Sequence, residues 1–171
     1  MSNLLTVHTL KAHAVILRDA DQEVLATAHD AGIGTFLGLP DAWVPPPNTP
    51  RLMLAAKLRD QFGIETAVER LLAVDMMAFD WYRGKSTLPL RREMRTDLAF
   101  LCRLKTSDAP RIVDAALLDD TTIARIGWVY VPQFAHDMQS RARDFWVRAI
   151  RAAQTGETAE LVEYPLEDVE Y

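Results

Sequence analysis

The sequence predicts an α+β fold, in which a mixed β-sheet is flanked by helices (an α/β/α sandwich). Strand-like segments lie both before and after one helical segment near residue 50, and a second helical pattern follows the last of them. A parallel doubly wound fold would instead alternate strands and helices regularly. The 171 residues are 49% hydrophobic and 25% charged, which is ordinary for a folded globular domain.

The chain is expected to form a single domain over residues 1–171, with its core at about residues 5–155. No internal repeat, low-complexity tract or Gly/Ser-rich linker divides it. The acidic segment 157–171 is predicted to be either an edge segment of the sheet or a mobile tail.

The first part of the chain is predicted to contain a β-hairpin. The stretch "VHTLKAHAVILRD" is rich in apolar and β-branched residues, "DADQE" is a polar turn, and "VLATA" resumes the strand pattern. A short apolar stretch, "GIGTFLGLP", follows. We predict a loop for the next segment, "DAWVPPPNTP", because proline lacks the backbone donor that a helix or central strand requires.

A helix is predicted between Thr49, as its N-cap, and Gly63, which ends it. Pro50 occupies the first helical position, where a missing N–H costs nothing. The apolar face of this helix consists of Leu52, Leu54, Ala55, Leu58 and Phe62.

The second half of the chain predicts three more strands and a long helix. The runs "VERLLAVDMMAFDWY" and "TDLAFLCRL" are typical of strands, and a basic loop, "RGKSTLPLRREMR", separates them. A further strand-like run, "IGWVYV", precedes Pro132. From Gln133 to about Gln154, apolar residues recur at helical spacing with arginines between them, which predicts an amphipathic helix.

Composition excludes several classes of function. A net charge of −5 argues against binding to a polynucleotide, which requires clustered Lys and Arg. No stretch approaches the eighteen apolar residues of a membrane span, and no basic segment followed by an apolar run marks a signal peptide. The single cysteine, Cys102, cannot form an intramolecular disulfide, so we expect a cytoplasmic protein with Cys102 in its core.

The segment "GLP", the proline-rich loop and the helix ending in "FGI" together resemble the Nudix hydrolase superfamily. The resemblance runs from about Ala12 to the end of "IGWVYVP" and aligns the Nudix pattern without a gap. The residues of that pattern that have a structural role are retained at Leu39, Pro40, Leu58, Gly63 and Ile64. The resemblance therefore implies a Nudix fold for this chain.

Most residues that carry the chemistry of the Nudix pattern are replaced by other residues in this chain. Its first Gly, its isolated Glu and its Arg fall on Ala42, Asn48 and Ala56, and its acidic helix positions fall on Lys57, Asp60 and Gln61. In Nudix enzymes those acidic residues bind Mg²⁺ or Mn²⁺, which bridges a diphosphate and activates water. Because positions three and four apart share a helix face, the three side chains are expected to converge on one point. Only Asp60 offers an anionic oxygen to a metal.

Two functions follow from the resemblance. The first is a Nudix-fold protein that needs no cofactor, performs no conventional metal-dependent diphosphate hydrolysis, and binds a nucleotide-like ligand or a protein partner. The second is a divergent hydrolase that cleaves a nucleoside diphosphate linked to another moiety, with Mg²⁺ or Mn²⁺ held by Asp60 and by carboxylates outside the motif. Those carboxylates would come from Asp75, Asp80, Glu93 and Asp97.

Ligand-binding candidates combine aromatic surface with positive charge: Trp43, Lys57, Arg59, Trp81, Tyr82, Arg83 and Lys85. Lys57 gives the most specific hypothesis, because a cation at a metal-binding position of the Nudix pattern suits direct contact with a phosphate. Each has a structural alternative. Lys57 and Asp60 also suit an exposed pair on the helix, Trp43 suits packing over the sheet edge, and the residues from Trp81 onward suit a solvated strand end.

The remaining polar residues give weaker signals. His8, His13, His29 and His136 lack metal-ligand spacing, so structural or surface roles are expected. Ser86 and Ser140 lack the Gly-x-Ser-x-Gly context of a serine hydrolase. The amphipathic last helix and the resemblance both suit a homodimer, and we expect a homodimer and a monomer with equal weight.

Overall fold

We describe the protein from a computed structural model. The structure describes residues 5–30, 32, 34–82, 91–118, 120–137, 143–159, 162–163 and 167–170. Within these ranges it gives no side-chain placement for residues 81–82, 137, 143, 162–163 and 167–170. In the described part of the chain, no helix is long and apolar enough to cross a membrane.

The strands and helices follow one another in the predicted mixed order. The strands are β1 (Leu5–Val15), β2 (Leu17–Arg18), β3 (Glu23–Asp30), β4 (Thr35–Gly38), β5 (Asp41–Trp43), β6 (Thr66–Tyr82), β7 (Arg91–Leu104), β8 (Ile123–Tyr130), β9 (Val162–Glu163) and β10 (Glu167–Glu170). The helices are α1 (Pro50–Phe62), α2 (Val131–Asp137) and α3 (Arg143–Thr155), with a 3₁₀ turn at Ala115–Leu117.

The strands form two sheets. The larger sheet has the order β10-β6-β7-β1-β5, with β9 also beside β6. In it, β6 and β7 are antiparallel and β7 and β1 are parallel, so the sheet is mixed, as predicted. In the smaller sheet, β3 pairs with β2, β4 and β8, all antiparallel.

The hydrophobic core lies in two clusters. One cluster contains Leu54, Leu58 and Phe62 of α1, packed with Ala12, Ala14 and Ile16. The other contains Phe145, Ala149 and Ile150 of α3, packed with Val15, Ala73 and Ala99. Since neighbouring strand residues point to opposite faces, α1 and α3 cover opposite sides of the large sheet. The predicted α+β architecture with flanking helices is confirmed.

The predicted N-terminal hairpin is wrong in extent. Of the first strand-like stretch, only Leu17 and Arg18 pair with β3. The rest of that stretch is β1, which lies between β7 and β5 in the other sheet. The chain changes sheets at Ile16, whose carbonyl accepts from Leu25 N–H at 3.0 Å. Residues 12–16 are buried on both faces of the strand, so they belong to the centre of the sandwich rather than to a two-stranded ribbon.

Two predicted loops are partly strands. Asp41–Trp43 pairs with Lys11–His13, because the prolines that prevent pairing begin only at Pro45. Arg91–Arg95 extends β7 opposite β6, while residues 83–90 lie outside the described residues.

The C-terminal predictions are partly confirmed. The predicted long helix corresponds to α2 and α3, and residues 138–142 between them lie outside the described residues. Val131 begins α2 instead of ending a strand. The acidic end supplies β10 at the edge of the large sheet, as one of the two alternatives predicted, and its mobility stays a prediction.

Helix α1 begins and ends where the sequence predicts. Thr49 is the N-cap residue, although its side chain makes no capping hydrogen bond, and Pro50 follows as the first residue. Gly63 is left-handed at φ +65°, and its N–H donates to Arg59 O at 3.0 Å. This αL cap satisfies carbonyls that the last turn of the helix leaves open.

Gly63→Ala should destabilise the protein by about 1 kcal/mol, because an added Cβ disfavours the left-handed backbone. It would also lie 3.3 Å from Val113 Cγ2. The free energy of unfolding in urea measures this loss. Gly127→Ala is the matched control, since a methyl group there meets no atom within 4 Å and its φ is ordinary. Equal losses in both variants would contradict the cap.

Candidate functional site

The three acidic positions of the Nudix pattern do not converge in the structure, contrary to the prediction. Gln61 is only 4% exposed, and its Nε2 donates to Leu117 O at 2.7 Å. The Asp60 side chain is 55% exposed, and its Oδ1 accepts from Arg59 Nε at 2.8 Å. Helix α1 therefore points one of these side chains into the core and another into solvent.

These residues do not fit a divalent metal. Mg²⁺ requires several oxygen ligands in near-octahedral arrangement. Here one position is an ammonium, another is an amide bonded to the backbone, and the third is a carboxylate bonded to a guanidinium. Among the described residues, no group of three or more His, Cys, Asp or Glu side chains could hold a metal ion.

Lys57 is half-buried and lies in the field of two carboxylates. Burial lowers the pKa of its ammonium, and the negative charges of Asp41 and Asp60 oppose that shift. Asp41 belongs to β5, the strand that precedes the proline-rich loop and α1. An acidic side chain thus faces the cation that stands at a former acidic position.

Asp41 also has partners on β1. Its Oδ2 lies 2.8 Å from Lys11 Nζ and 3.9 Å from His13 Nδ1. These contacts follow from strand register, since His13 is directly opposite Asp41 and side chains at Lys11 and His13 share one face. Asp41 therefore pairs with a lysine of β1, and its charge also acts on Lys57 of α1.

His13 connects this carboxylate to a second, more deeply buried pair. Its Nε2 lies 2.8 Å from Asp97 Oδ1, and the other oxygen of Asp97 accepts from Arg95 Nε at 2.8 Å. Burial would raise the pKa of Asp97, but hydrogen bonding and the charges of His13 and Arg95 outweigh it and lower that pKa. Asp97 is thus ionised and accepts a hydrogen bond from His13 Nε2, while His13 Nδ1 is buried and has no hydrogen-bond partner among the described residues.

The other predicted replacement carboxylates are held elsewhere. Asp75 Oδ1 accepts from Arg148 at 2.6 Å, and Asp80 receives two hydrogen bonds from Arg92 at 2.7 and 2.8 Å. Glu93 accepts from the Thr9 hydroxyl at 3.0 Å. Each carboxylate is therefore bound to a donor of the sheet or of α3 rather than gathered beside Asp60.

Trp43 borders a cavity of about 800 Å³ at the edge of the large sheet. The cavity is lined by His8, Thr9, Leu10, Trp43, Val44, Pro45, Pro46, Pro47, Asn48 and Thr96. Trp43 is 41% exposed, and Lys11 Nζ lies 5.1 Å from the centre of its ring. The cavity thus offers an accessible aromatic face, and Lys11 lies beside the Trp43 ring without being one of the lining residues.

Apart from Trp43, the ligand candidates whose side chains are described, Lys57 and Arg59, are not among the residues that line this cavity. Arg59 lines a separate surface depression with Glu65 and Lys105. The backbone of Trp81 lies six residues along β6 from Asp75, which shares a row with Asp97, Lys11 and Trp43. That distance is about 20 Å. The side chains of Trp81 and Tyr82 are not placed, and Arg83 and Lys85 lie outside the described residues.

His29 lies in a second cluster of polar side chains. Its Nε2 lies 2.9 Å from Thr27 Oγ1, and its Nδ1 lies 3.3 Å from Asp120 Oδ2. Thr27 Oγ1 is buried and also donates to Gly38 O at 3.1 Å, so this hydroxyl serves the sheet and is closed to solvent. Burial lowers the pKa of His29, and Asp120 opposes this shift.

Solved structures of similar fold identify the architecture. A Nudix hydrolase from Nitrosomonas europaea has a TM-score of 0.60 at 12% identity, covering 95% of this chain and 79% of that one. The chain has the Nudix fold. An ADP-ribose pyrophosphatase from Streptococcus suis gives 0.57 at 13% identity, covering 91% of this chain and 98% of that one. A UDP-X diphosphatase gives 0.59 at 16% identity, covering 91% and 68% respectively.

No protein-family model and no curated protein sequence matches this chain. The likeness to Nudix structures is therefore one of fold at low sequence identity, as expected if the structural letters of the Nudix pattern persist and its chemical letters do not.

Lys11, His13 and Asp41 were not among the site residues predicted from sequence. Two polar residues at alternate positions of the apolar stretch "LKAHAV" were a usable signal, because alternation places them on one sheet face. Asp41 gave no such signal, since it lay in a segment predicted to be a loop. Its role depends on the pairing of β5 with β1.

The free energy of unfolding should fall as the pH is lowered below about 6.5, partly through His29. Its pKa is lower in the folded protein, so in this range the unfolded chain binds more protons. Above that range both states are neutral and the contribution is complete. Urea unfolding from pH 7.5 to 5.0 measures the slope, which should be shallower in His29→Gln. Identical slopes would contradict this assignment.

Proposed function

We propose that this Nudix-fold protein binds a nucleotide-like ligand at the Trp43 cavity and does not carry out metal-dependent diphosphate hydrolysis on α1. The arrangement of Lys57, Asp60 and Gln61 carries the proposal, since only one of them is anionic and that one is turned to solvent. The Nudix fold supplies the scaffold, and fold alone does not specify the reaction.

Electrostatics supports the loss of metal binding. Two unit charges about 4 Å apart interact by roughly 4 kcal/mol at an effective dielectric of about 20. An ammonium at position 57 repels a metal with an energy of that order, and the divalent charge doubles it. Asp41 already pairs with Lys11 and acts on Lys57, so a bound anion is favoured over a further cation.

The ligand chemistry is argued from Trp43 in the cavity wall and from two lysines outside the lining residues, Lys11 beside the Trp43 ring and Lys57 on α1. An aromatic face that is 41% exposed suits stacking with a flat ring, and nearby lysines suit a phosphate. Trp43, Lys11 and Lys57 would supply these contacts, with a phosphate competing with Asp41 for the two ammonium groups. A nucleotide or nucleoside diphosphate derivative has both parts.

No nucleoside monophosphate should be released when the protein is incubated with a panel of nucleoside diphosphate derivatives and Mg²⁺ or Mn²⁺, since that is the product of cleaving the diphosphate bridge. Asp60→Asn should behave identically, because the proposal gives Asp60 no catalytic part. Metal-dependent release that disappears in Asp60→Asn would overturn the non-hydrolytic assignment and establish the divergent hydrolase.

ADP-ribose titrated without metal should quench tryptophan fluorescence and should bind at least tenfold more weakly to Lys57→Glu. Trp43→Ala should lose the quenching, since it removes the stacking surface. Arg59→Glu is the matched control: it makes the same charge change on α1, but its side chain lies at another depression. Absence of binding at millimolar ADP-ribose, or equal weakening by Arg59→Glu, would overturn the ligand assignment.

A further inference from the structure

A cavity of about 740 Å³ lies between the smaller sheet and α2, and we call it the α2 cavity. Its walls include Leu37 of β4, Arg125, Gly127 and Val129 of β8, and Gln133 and His136 of α2. Small-molecule sites in proteins usually measure about 300 to 1,000 Å³. Trp43, Lys11 and Lys57 do not line the α2 cavity, so it is separate from the site proposed for a nucleotide-like ligand.

Strand register places three positions of β8 on the cavity face. Arg125, Gly127 and Val129 alternate along the strand, so they share one face of the sheet. In the register with β3, Arg125 is opposite Ala28 and Gly127 is opposite Ala26, and both alanines are buried. The sheet surface is therefore lowest at Gly127, between two longer side chains of the same strand.

Neither the backbone nor the packing of the chain requires a glycine at position 127. Its φ lies outside the left-handed region, and an added Cβ would meet no atom within 4 Å. The register of β3 with β8 is regular at this position, so no bulge is present there. Glycine inside a strand lowers stability relative to alanine, and it often marks a place where a ligand approaches the backbone closely. The open space over Gly127 is thus suited to a ligand.

Arg125 brings an unpaired positive charge to the α2 cavity. Its side chain is exposed, and no described residue forms a hydrogen bond or an ion pair with it. Glu23 also lines the cavity, but its Oε2 accepts from Arg18 Nε at 2.6 Å, and this hydrogen bond lowers the pKa of the carboxyl. The Glu23 charge is therefore already balanced, whereas the Arg125 guanidinium is available to an anion.

We propose that the α2 cavity binds a small aromatic carboxylate. The carboxylate pairs with Arg125, whose planar fork matches its two oxygens with parallel hydrogen bonds. The ring lies over the bare backbone at Gly127, with Leu37 and Val129 as apolar walls. Because peptide groups are planar, the backbone at a glycine offers a flat surface that a planar ring approaches more closely than a puckered one.

The charge of the cavity favours a carboxylate over a phosphate. A phosphate monoester carries close to two negative charges at neutral pH, and a carboxylate carries one. Arg125 balances one charge, and the nearby carboxylate of Glu23 repels a second. The Trp43 site has the opposite composition, with Lys11 and Lys57 beside it, so the two sites are expected to select different ligands.

This binding site goes beyond the function proposed for the Trp43 cavity and does not depend on it. The two sites use different sheets, since Trp43 belongs to β5 of the larger sheet and Gly127 to β8 of the smaller one. A variant at one site therefore leaves the other unchanged. Binding to the α2 cavity can be tested whether or not a nucleotide-like ligand binds beside Trp43.

Calorimetric titration of the full chain with naphthoate should show saturable binding with a dissociation constant of about 1 mM or lower, as an order of magnitude for so small a ligand. Naphthalenemethanol, which lacks the negative charge, should bind at least tenfold more weakly. Decahydronaphthoate, which keeps the charge on a puckered ring system, should also bind at least tenfold more weakly. Equal binding of either compound would reject the assigned ligand class.

Arg125→Gln should weaken naphthoate binding at least tenfold. Its matched control is Arg111→Gln, which removes the same charge from another exposed arginine outside the cavity and should bind like the wild type. Gly127→Val should also weaken binding at least tenfold, because its side chain occupies the space over the backbone. It should not lower the thermal midpoint, since valine suits a strand better than glycine does. Trp43→Ala should bind naphthoate normally.

Absence of saturable naphthoate binding up to about 10 mM, well above the expected dissociation constant, would overturn the proposal. Equal weakening by Arg125→Gln and Arg111→Gln would show attraction by overall charge and would reject it. Unchanged binding to Gly127→Val would equally reject it, because the ring would lie elsewhere. Loss of binding in Trp43→Ala would place naphthoate in the Trp43 cavity, which would reject the α2 cavity without opposing a nucleotide-like ligand at Trp43.

Discussion

The charge balance at Asp41 is the constraint on which the site depends. Charged groups taken out of water must be paired, because an uncompensated buried charge costs several kcal/mol. Asp41 forms an ion pair with Lys11 of β1, and its charge acts on Lys57 of α1. His13, beside Asp41, lies within hydrogen-bonding distance of Asp97, which also accepts a hydrogen bond from Arg95. A network of charged and polar groups thus runs from the edge of α1 into the sheet.

Under the function proposed above, this network takes the place of a metal at α1 of the Nudix fold. In the fold's enzymes, acidic side chains on this helix are brought together by a cation, as the resemblance implies. Here the cation is supplied by the protein as Lys57, and Asp41 supplies the opposing charge from β5. Replacing the acidic residues of the pattern therefore leaves no cluster of like charges at positions 57, 60 and 61 that an ion would have to neutralise.

Local features of the chain were predictable from sequence, and long-range pairing was not. Thr49, Pro50 and Gly63 fixed α1, because capping and left-handed backbone are properties of a few neighbouring residues. The position of Gln61 was also accessible: it lies three residues from Leu58 and next to Phe62, on the apolar face, so its burial follows from the helical period. The contacts of Asp41 and the pairing of β1 depend on strand register, which periodicity does not encode.

Paramagnetic broadening by Mn²⁺ tests the central claim most directly, because it reports metal proximity residue by residue without requiring a substrate. Amide signals of Lys57–Gln61 should keep their intensity relative to the rest of the described chain when substoichiometric Mn²⁺ is added. Selective loss of those signals, centred on Asp60, would show that this helix still holds a divalent ion and would contradict the account.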